Sequence, residues 1–332
     1  MDGRPGLRWT AASDGQLALF DAPERIIGRG EYRGLEFVHV QARTIINRLP
    51  PTAPLPFRFT INTYRGCSHA CTYCFARPTH EYLGLDPATD FDRVIVVKVN
   101  AVERLRAELA PKRWAGEPIA MGTNTDPYQA AEGRYRLTRG IVAVLAEARN
   151  PFSILTKSTL VLRDLDLLAD AARRTRVELC FSVGTLDDDV WRRTEPGTPR
   201  PTKRLEAVAR LNDAGVPCGV LVAPVLPGLS DDPGQLEAVV AAALDAGATV
   251  VAPVLLHLRP GVREHYLAWL RAERPDLVAR HQRLYARGAD APRAERDRVG
   301  GIVRAALARH RGGTGSQPGR ESGRFGNVTW PQ

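Results

Sequence analysis

Three cysteines stand close together in the chain: Cys67, Cys71 and Cys74, in the spacing C-x₃-C-x₂-C. Thiolates are soft ligands that suit iron–sulfur clusters and zinc. A cubane [4Fe–4S] cluster held by three ligands keeps one iron open, where a second molecule can bind. The alternative is a Cys₃His zinc site that uses His69 or His80, but no second ligand pair at zinc-site spacing follows nearby. The spacing therefore predicts a metal site and favours the cluster over zinc.

The cysteines follow the first of a series of apolar, β-rich runs that alternate with helical patterns. The runs cover residues 57–63, 94–99, 119–123, 152–156, 177–183 and 216–224, with a seventh candidate at 249–256. Leucine, valine and alanine recur every three to four residues in the pieces between them, at 101–109, 135–149, 162–174, 203–214 and 234–246. This alternation predicts an α/β fold, a full or partial (β/α) barrel with its chemistry at the C-terminal strand ends.

Composition along the chain predicts four regions. A proline-rich segment before residue 57 closes an N-terminal extension, because proline fixes φ and removes a backbone donor. We expect the extension at 1–56, the barrel at 57–260, a helical, arginine-rich region at 261–311, and a flexible, glycine-rich tail at 312–332.

The overall composition is that of a globular protein, with 44% hydrophobic and 25% charged residues among 332. No uncharged apolar window reaches the roughly 18–20 residues needed to cross a bilayer. The first residues show no apolar segment ahead of a cleavage site. We therefore expect no membrane partner and a cytoplasmic location.

Basic residues are concentrated near the C-terminus. The chain has a net charge of +9, and 42 of its 46 basic residues are arginine. Between Arg280 and Arg311 nine arginines face three acidic residues, so +6 of the +9 lies in this arginine stretch (residues 280–311). The stretch is either a nucleic-acid-binding face or the solvated helix surface of an arginine-rich protein.

The cysteine spacing, with the aromatic Tyr73 before the third cysteine and a strand before the first, resembles the radical S-adenosylmethionine superfamily. From about residue 57 to 227 the chain is similar to its spore photoproduct lyase-like group, also called DNA repair photolyases. The matching segments stand at strand ends: 96–100, 122–126, 155–157, 181–183, 195–198 and 222–224. The resemblance implies a partial (β/α)₆ TIM-like barrel of the radical S-adenosylmethionine type.

The resemblance also implies the chemistry. One electron from a [4Fe–4S] cluster on the three cysteines cleaves S-adenosylmethionine to a 5′-deoxyadenosyl radical, which abstracts hydrogen from a substrate. The electron comes from an external donor of the flavodoxin or ferredoxin type. In the lyase itself a cysteine returns hydrogen to the product radical, but this chain has Thr123 there, and an O–H bond is too strong for that step. The substrate is thus not identified.

The implied cofactor contacts lie in the cysteine loop and at strand ends: Tyr73, Thr125, Asp126, Lys157, Ser182 and Ala223. The chain lacks the Gly-Gly-Glu segment with which many of these enzymes bind the methionine amino group, so Thr125 and Asp126 take that role. Lys157 pairs with the methionine carboxylate, Ser182 reaches the ribose, and Tyr73 and Ala223 frame the adenine. The structural alternatives are a turn at Asp126, a solvated Lys157 and ordinary core or backbone contacts for the others.

Two other features have structural interpretations. The Glu195-Pro196-Gly197-Thr198 segment follows a strand and either positions the next helix or lines the substrate entrance. Cys180 and Cys218 lie within strand patterns and are expected to be small buried hydrophobic residues.

The sequence thus predicts a radical S-adenosylmethionine enzyme. One alternative is a non-catalytic iron–sulfur or zinc module that binds nucleic acid. Another keeps the enzyme and makes a nucleic-acid lesion its substrate.

Overall fold

The computed structural model describes residues 24–53, 55–110 and 114–313. The predicted flexible tail at 312–332 lies outside this part, except for two residues at the end of the last helix. The strands of the described part are β1 (Arg25–Ile27), β2 (Glu36–Val40), β3 (Ile46–Arg48), β4 (Phe59–Ile61), β5 (Tyr64–Arg65), β6 (Val94–Lys98), β7 (Ile119–Met121), β8 (Phe152–Thr156), β9 (Val177–Ser182), β10 (Cys218–Val225) and β11 (Val251–Leu255).

The α-helices lie where the apolar periodicity predicts them, together with shorter additional ones. They are α1 (Ala101–Glu108), α2 (Ala130–Tyr135), α3 (Leu137–Glu147), α4 (Leu165–Arg174), α5 (Asp188–Thr194), α6 (Pro201–Asp213), α7 (Pro233–Asp245), α8 (Val262–Glu273), α9 (Val278–Leu284) and α10 (Arg293–Gly313). Aspartates cap two of them: Asp187 accepts from the first amides of α5, and Asp232 does the same for α7.

The larger sheet has the strand order β11-β10-β9-β8-β7-β4-β3. Its first six strands in that order are parallel, and β3 pairs antiparallel with β4 at the edge. In the described part β3 and β11 end the sheet without pairing to each other, so the barrel is open. Crossover helices connect the parallel strands. The predicted partial (β/α)₆ barrel is therefore confirmed.

One predicted barrel strand belongs to a different sheet. The strand predicted at 94–99 is β6, which pairs with β2 and β5 in a second sheet of order β1-β2-β6-β5. An apolar run identifies a strand but not its partner, so periodicity could not separate the two sheets. The predicted seventh run, which forms β11, supplies the sixth parallel strand instead. The N-terminal segment adds β1, β2 and β3, which were not predicted.

The main core lies between the barrel strands and the helices. Val208 of α6, Val220 of β10 and Val240 of α7 are completely buried in it. Val299 and Val303 of α10 belong to the same core, so the arginine stretch ends in a helix that packs on the barrel. No helix within the described ranges is long and apolar enough to cross a bilayer.

The inner face of the curved sheet carries a separate apolar cluster. Leu155, Cys180 and Ala223 pack together there, whereas the residues that alternate with them pack against the helices. Lys157 and Ser182 each follow a member of this cluster by two residues. Because side chains alternate along a strand, both continue the inner face toward the C-terminal rim.

Candidate functional site

The cysteine loop (residues 66–77) begins directly after β5. Gly66 opens the loop with a φ of +79°, and a Cβ here would lie 2.7 Å from a neighbouring carbonyl oxygen, so a side chain cannot be accommodated. Cys67 and Cys71 are buried, Cys74 is half-buried, and all three thiols are free. The loop therefore presents three unmodified thiols beside the rim of the barrel.

Burial is the main cause that raises the pKa of the three thiols, and it raises that of Cys71 to about 12. Negative charge on Asp126 and on the other two thiols raises the pKa of Cys67 further. Lys157 opposes this effect at Cys71 and Cys74. Metal ions bind thiolates, so a cationic group is needed to hold three thiolates together in this loop. The donor set fits an iron–sulfur cluster.

The zinc alternative gains no support from the geometry. In the described part of the chain, no three His, Cys, Asp or Glu side chains are arranged to hold a single metal ion. His69 Nδ1 lies 3.4 Å from the Asp126 carboxylate, and His80 Nε2 donates to the Val94 carbonyl at 3.0 Å. Burial lowers the pKa of both imidazoles. Each histidine thus has one protein partner, while Nδ1 of the buried His80 has none among the described residues.

Residues after β7 hold the start of the loop. Thr125 donates its hydroxyl to the Gly66 carbonyl at 2.6 Å, and the side-chain amide of Gln129 donates to the same oxygen at 2.8 Å. The carbonyl of that side chain accepts the Ser68 amide at 3.0 Å. Thr125 and Gln129 are buried. These bonds satisfy the loop backbone, which has no strand or helix to do so.

Asp126 joins the loop to the end of β8. Its carboxylate accepts hydrogen bonds from the Thr156 hydroxyl at 2.7 Å, the Lys157 amide at 2.7 Å and the Tyr128 amide at 2.8 Å. His69 of the loop completes the set. Asp126 therefore brings a negative charge to Cys67, and all its acceptor positions face protein partners.

The turn at residues 195–198 contacts the loop from the β9 side. The Gly197 amide donates to the His69 carbonyl at 3.1 Å, and the Thr72 amide donates to the Thr194 carbonyl at 3.0 Å. A Cβ at Gly197 would lie 2.3 Å from a loop carbonyl oxygen. Only glycine allows this close approach of two backbones.

Glu195 connects this turn to both the loop and α6. It accepts the hydroxyl of Tyr73 and pairs with Arg204, and all three side chains are buried. Burial alone would raise the pKa of Glu195, but the charges of Arg204 and Lys157, with the Tyr73 hydrogen bond, outweigh it and lower that pKa. Glu195 is therefore a carboxylate. The predicted link to the following helix is present, and the contact with the loop is additional.

Arg77, the last residue of the loop, bonds back to its middle. Its buried guanidinium donates twice to the Cys71 carbonyl at 3.2 Å and pairs with Asp92 at 3.1 Å. It also lies 5.3 Å from the centroid of the Phe91 ring. The middle of the loop is thus fixed by one arginine.

The predicted cofactor residues lie along one rim. Lys157 Nζ is 5.7 Å from the centroid of the Tyr73 ring, which brings β8 and the loop together. Ser182 ends β9, and its carbonyl accepts from Arg204 at 2.9 Å. Ala223 lies near the end of β10 and is buried.

Sequence reasoning missed Gln129, Arg77 and Arg204, and for Glu195 it included the link to the next helix but not the contact with the cysteine loop. A signal was available for one of them. Arg204 stands four residues before Val208 on the apolar stripe of α6, where a charge needs a buried partner.

Carboxylates engage much of the arginine stretch. Arg280 and Arg298 each pair with Asp231 at 2.6 Å, and Arg309 pairs with Glu237 at 2.8 Å. Asp231 is buried between two of these guanidinium groups. Part of the local excess of arginine therefore stabilises the packing of the C-terminal helices on the barrel.

The sequence was compared with protein families and curated proteins. The family model of the radical SAM superfamily matches residues 61–236. The uncharacterized protein Rv2578c of Mycobacterium tuberculosis is 45% identical over 287 residues, which are 86% of this chain and 84% of that protein. The uncharacterized protein MJ0683 of Methanocaldococcus jannaschii is 30% identical over 197 residues, 59% of this chain and 70% of that protein.

Among solved structures, spore photoproduct lyase complexed with dinucleoside spore photoproduct has a TM-score of 0.62. The alignment covers 82% of this chain and 79% of the lyase at 16% sequence identity, which shows a shared fold. The chain therefore belongs to the radical S-adenosylmethionine superfamily: it is a radical S-adenosylmethionine enzyme with the fold of spore photoproduct lyase, and its cofactors are those of the superfamily, a [4Fe–4S] cluster and S-adenosylmethionine.

Proposed function

We propose that Cys67, Cys71 and Cys74 hold the [4Fe–4S] cluster and that the enzyme reductively cleaves S-adenosylmethionine at the rim of its barrel. The observation that carries the proposal is the contact between the cysteine loop and the strand ends. Three free thiols in a loop fixed from two sides lie beside the ammonium of Lys157. When bound, the cluster supplies the electron that breaks the sulfonium bond to give a 5′-deoxyadenosyl radical.

The half-buried Cys74 supports the choice of ligands. Lys157, Arg77 and Arg259 lower the pKa of its thiol, although burial raises it overall. Positive charge around the loop therefore offsets part of the effect by which burial disfavours the thiolate forms that a cluster requires. The protein contributes this field before any metal arrives.

For S-adenosylmethionine we propose that Lys157 binds the methionine carboxylate. Its ammonium lies against the face of Tyr73 with one side toward the loop, and it can form a charge-assisted hydrogen bond. We place the methionine amino group near Thr125 and Asp126. Because protein donors take the oxygens of Asp126, that residue acts through its negative charge.

The ribose and adenine would then lie along the neighbouring strands. Ser182 and Ala223 share the inner face of the barrel with a patch of apolar side chains. This apolar wall supports the proposal that the adenosyl group is shielded from water there. Tyr73 closes the opposite side.

We infer two partners from the same reasoning. The first is an external one-electron donor of the flavodoxin or ferredoxin type. The second is nucleic acid at the arginine stretch. Nucleic-acid binding there is favoured by Arg283, Arg287 and Arg304, which are exposed and have no carboxylate within ion-pair distance among the described residues. Thr123 stands where the lyase has its hydrogen-donating cysteine, so we propose a reaction other than that of the lyase.

The test is anaerobic reconstitution with iron and sulfide, followed by reduction in the presence of S-adenosylmethionine. We expect about four irons per chain and formation of 5′-deoxyadenosine. Zinc without iron, or an iron–sulfur protein that never forms 5′-deoxyadenosine, would favour the non-catalytic module. Running the assay with and without duplex and single-stranded DNA tests the second partner.

A further inference from the structure

The ion pair of Glu195 and Arg204 is placed where it is costly. Arg204 is fully buried on the apolar side of α6, and Glu195 is 5% exposed. Taking two charges out of water costs more free energy than an apolar pair would. Such a pair is retained where its geometry is needed to hold other groups in place.

Arg204 holds the backbone at the ends of two elements. It donates to the Ser182 carbonyl and the Pro199 carbonyl at 2.9 Å each, and it donates to Glu195 and Thr198. These bonds fix the turn at residues 195–198 against the end of β9. The turn cannot shift without leaving a buried cation unpaired.

The fixed turn, together with Thr194 directly before it, holds the cysteine loop at three points. Two are backbone hydrogen bonds, from Gly197 to His69 and from Thr72 to Thr194. The third is the hydroxyl of Tyr73 on the Glu195 carboxylate. All three contacts involve loop residues between His69 and Tyr73, and these lie between the first and last cysteine.

We propose that Glu195 and Arg204 are positioning residues that set the place of Tyr73, and through it of the cluster loop and Lys157. Tyr73 stands between Cys71 and Cys74, and its ring lies under the Lys157 ammonium. Fixing one phenol therefore fixes two ligands of the cluster and the cation for the methionine carboxylate at once. The inference rests on the proposed function, because it gives the loop and Lys157 their roles.

The proposal predicts different effects on the loop for variants that a purely stabilising role would not distinguish. Tyr73→Phe removes the hydroxyl but leaves Glu195 paired with Arg204, so the protein folds with a loop that has lost one of these three contacts. Glu195→Gln keeps a weaker, neutral acceptor for the hydroxyl and also removes the negative charge that pairs with the buried Arg204, so it loosens the turn as well. Trp191→Phe is the matched control. It removes a 2.9 Å bond from the indole to Thr198 on the same turn, and among the described residues the indole makes no hydrogen bond to the loop.

The experiment measures hydrogen exchange in the iron-free protein and iron loss to a chelator in the reconstituted protein. For Tyr73→Phe we expect about tenfold faster exchange at the amides of Thr72 and Gly197, and about tenfold faster iron loss, as for loss of one charge-assisted hydrogen bond. Glu195→Gln should show a change at least as large in both, because it disturbs the Arg204 pair as well as the Tyr73 bond. The double variant should change little beyond Glu195→Gln, because the Tyr73 hydroxyl acts through that carboxylate. Trp191→Phe should lower the unfolding temperature alone.

Two results would overturn the inference. One is exchange and iron loss at native rates in Tyr73→Phe. The other is equal loosening by Trp191→Phe, which would assign the pair to general stability. A failure of the proposed function reads differently: the native chain would then bind no iron, while the exchange measurement on the iron-free protein would still report on the contact.

Discussion

The cysteine loop and the arginine stretch are both concentrations of one residue type, and their side chains differ in whether they find partners. Around the loop, backbone groups are bonded by Thr125, Gln129 and Arg77, while the thiols form no disulfide and Cys71 makes only a long 4.0 Å contact with the His69 carbonyl. In the arginine stretch, Arg280 and Arg298 converge on the buried Asp231. The scaffold at the loop leaves the sulfur atoms available to a ligand, whereas at the stretch part of the charge pairs with carboxylates of the scaffold.

The difference shows what a local excess of one residue type indicates about its role. Where the side-chain atoms of the concentrated residues are held in place but not bonded by the protein itself, the excess indicates a binding site. Where those atoms pair with complementary groups of the same chain, the excess indicates a contribution to the stability of the fold. Substitutions in the two regions should therefore have different consequences.

The largest effect is expected from Cys71→Ala. It should abolish the iron content of anaerobically reconstituted protein, because two remaining ligands of the loop cannot hold a [4Fe–4S] cluster. Cys218→Ala is the matched control, since this thiol is fully buried in the main core. It should keep all the iron, and iron and absorbance measurements compare the two. Retention of the cluster in Cys71→Ala would exclude this ligand.

Next comes the binding of S-adenosylmethionine. Lys157→Ala and Asp126→Asn should each weaken it by about ten- to hundredfold, as expected for loss of an interaction of about 1.5–3 kcal/mol with a charged group. The cluster should remain. Equilibrium binding to reconstituted protein measures this, with Lys203→Ala as control because Lys203 is exposed and pairs with Glu206 at 2.8 Å. Native affinity in both variants would show that the cofactor contacts lie elsewhere.

Glycines in the two regions should respond in opposite directions. Gly197→Ala places a Cβ against the loop backbone and should lower the free energy of unfolding by about 2 kcal/mol. Gly301→Ala in α10 meets nothing closer than 4.0 Å and should raise it by up to about 1 kcal/mol, since alanine favours helix. Denaturant titration gives both values. Equal responses would contradict the view that the loop, unlike α10, is held by close backbone contact.

The smallest effect concerns nucleic acid. If exposed arginines of the stretch contact phosphates, changing Arg283, Arg287 and Arg304 together to glutamine should lower the salt dependence of DNA binding by about 0.9 per lost contact. Arg173 and Arg174, also exposed but outside the stretch, make the control pair when changed to glutamine. Filter retention across a salt series measures the slope. No retention of the native protein at about 50 mM salt would leave the stretch a solvated helix surface.

The sequence predicted those parts of the molecule that depend on local pattern. Alternating apolar runs gave the barrel strands and crossover helices, because strand and helix periods differ. The sequence did not show which strands pair with each other, because β6 has the apolar pattern of a barrel strand. The three-residue strands β1 and β3 carry too short a pattern to be recognised. For the site, the thiols and strand ends were predicted from residue type. The partner of Tyr73 was not, since Glu195 lies 122 residues later and only the fold brings them together.

That separation in the chain has a consequence for assembly during synthesis. When the three thiols leave the ribosome, the turn at residues 195–198 and the arginine behind it have not been made. A nascent chain therefore displays the cysteines for more than a hundred residues of translation before residues 195–204, which complete the contacts on the loop, have been made. Metal loading in the cell should follow completion of α6, and a ribosome stalled before that helix would carry exposed thiols with no finished site.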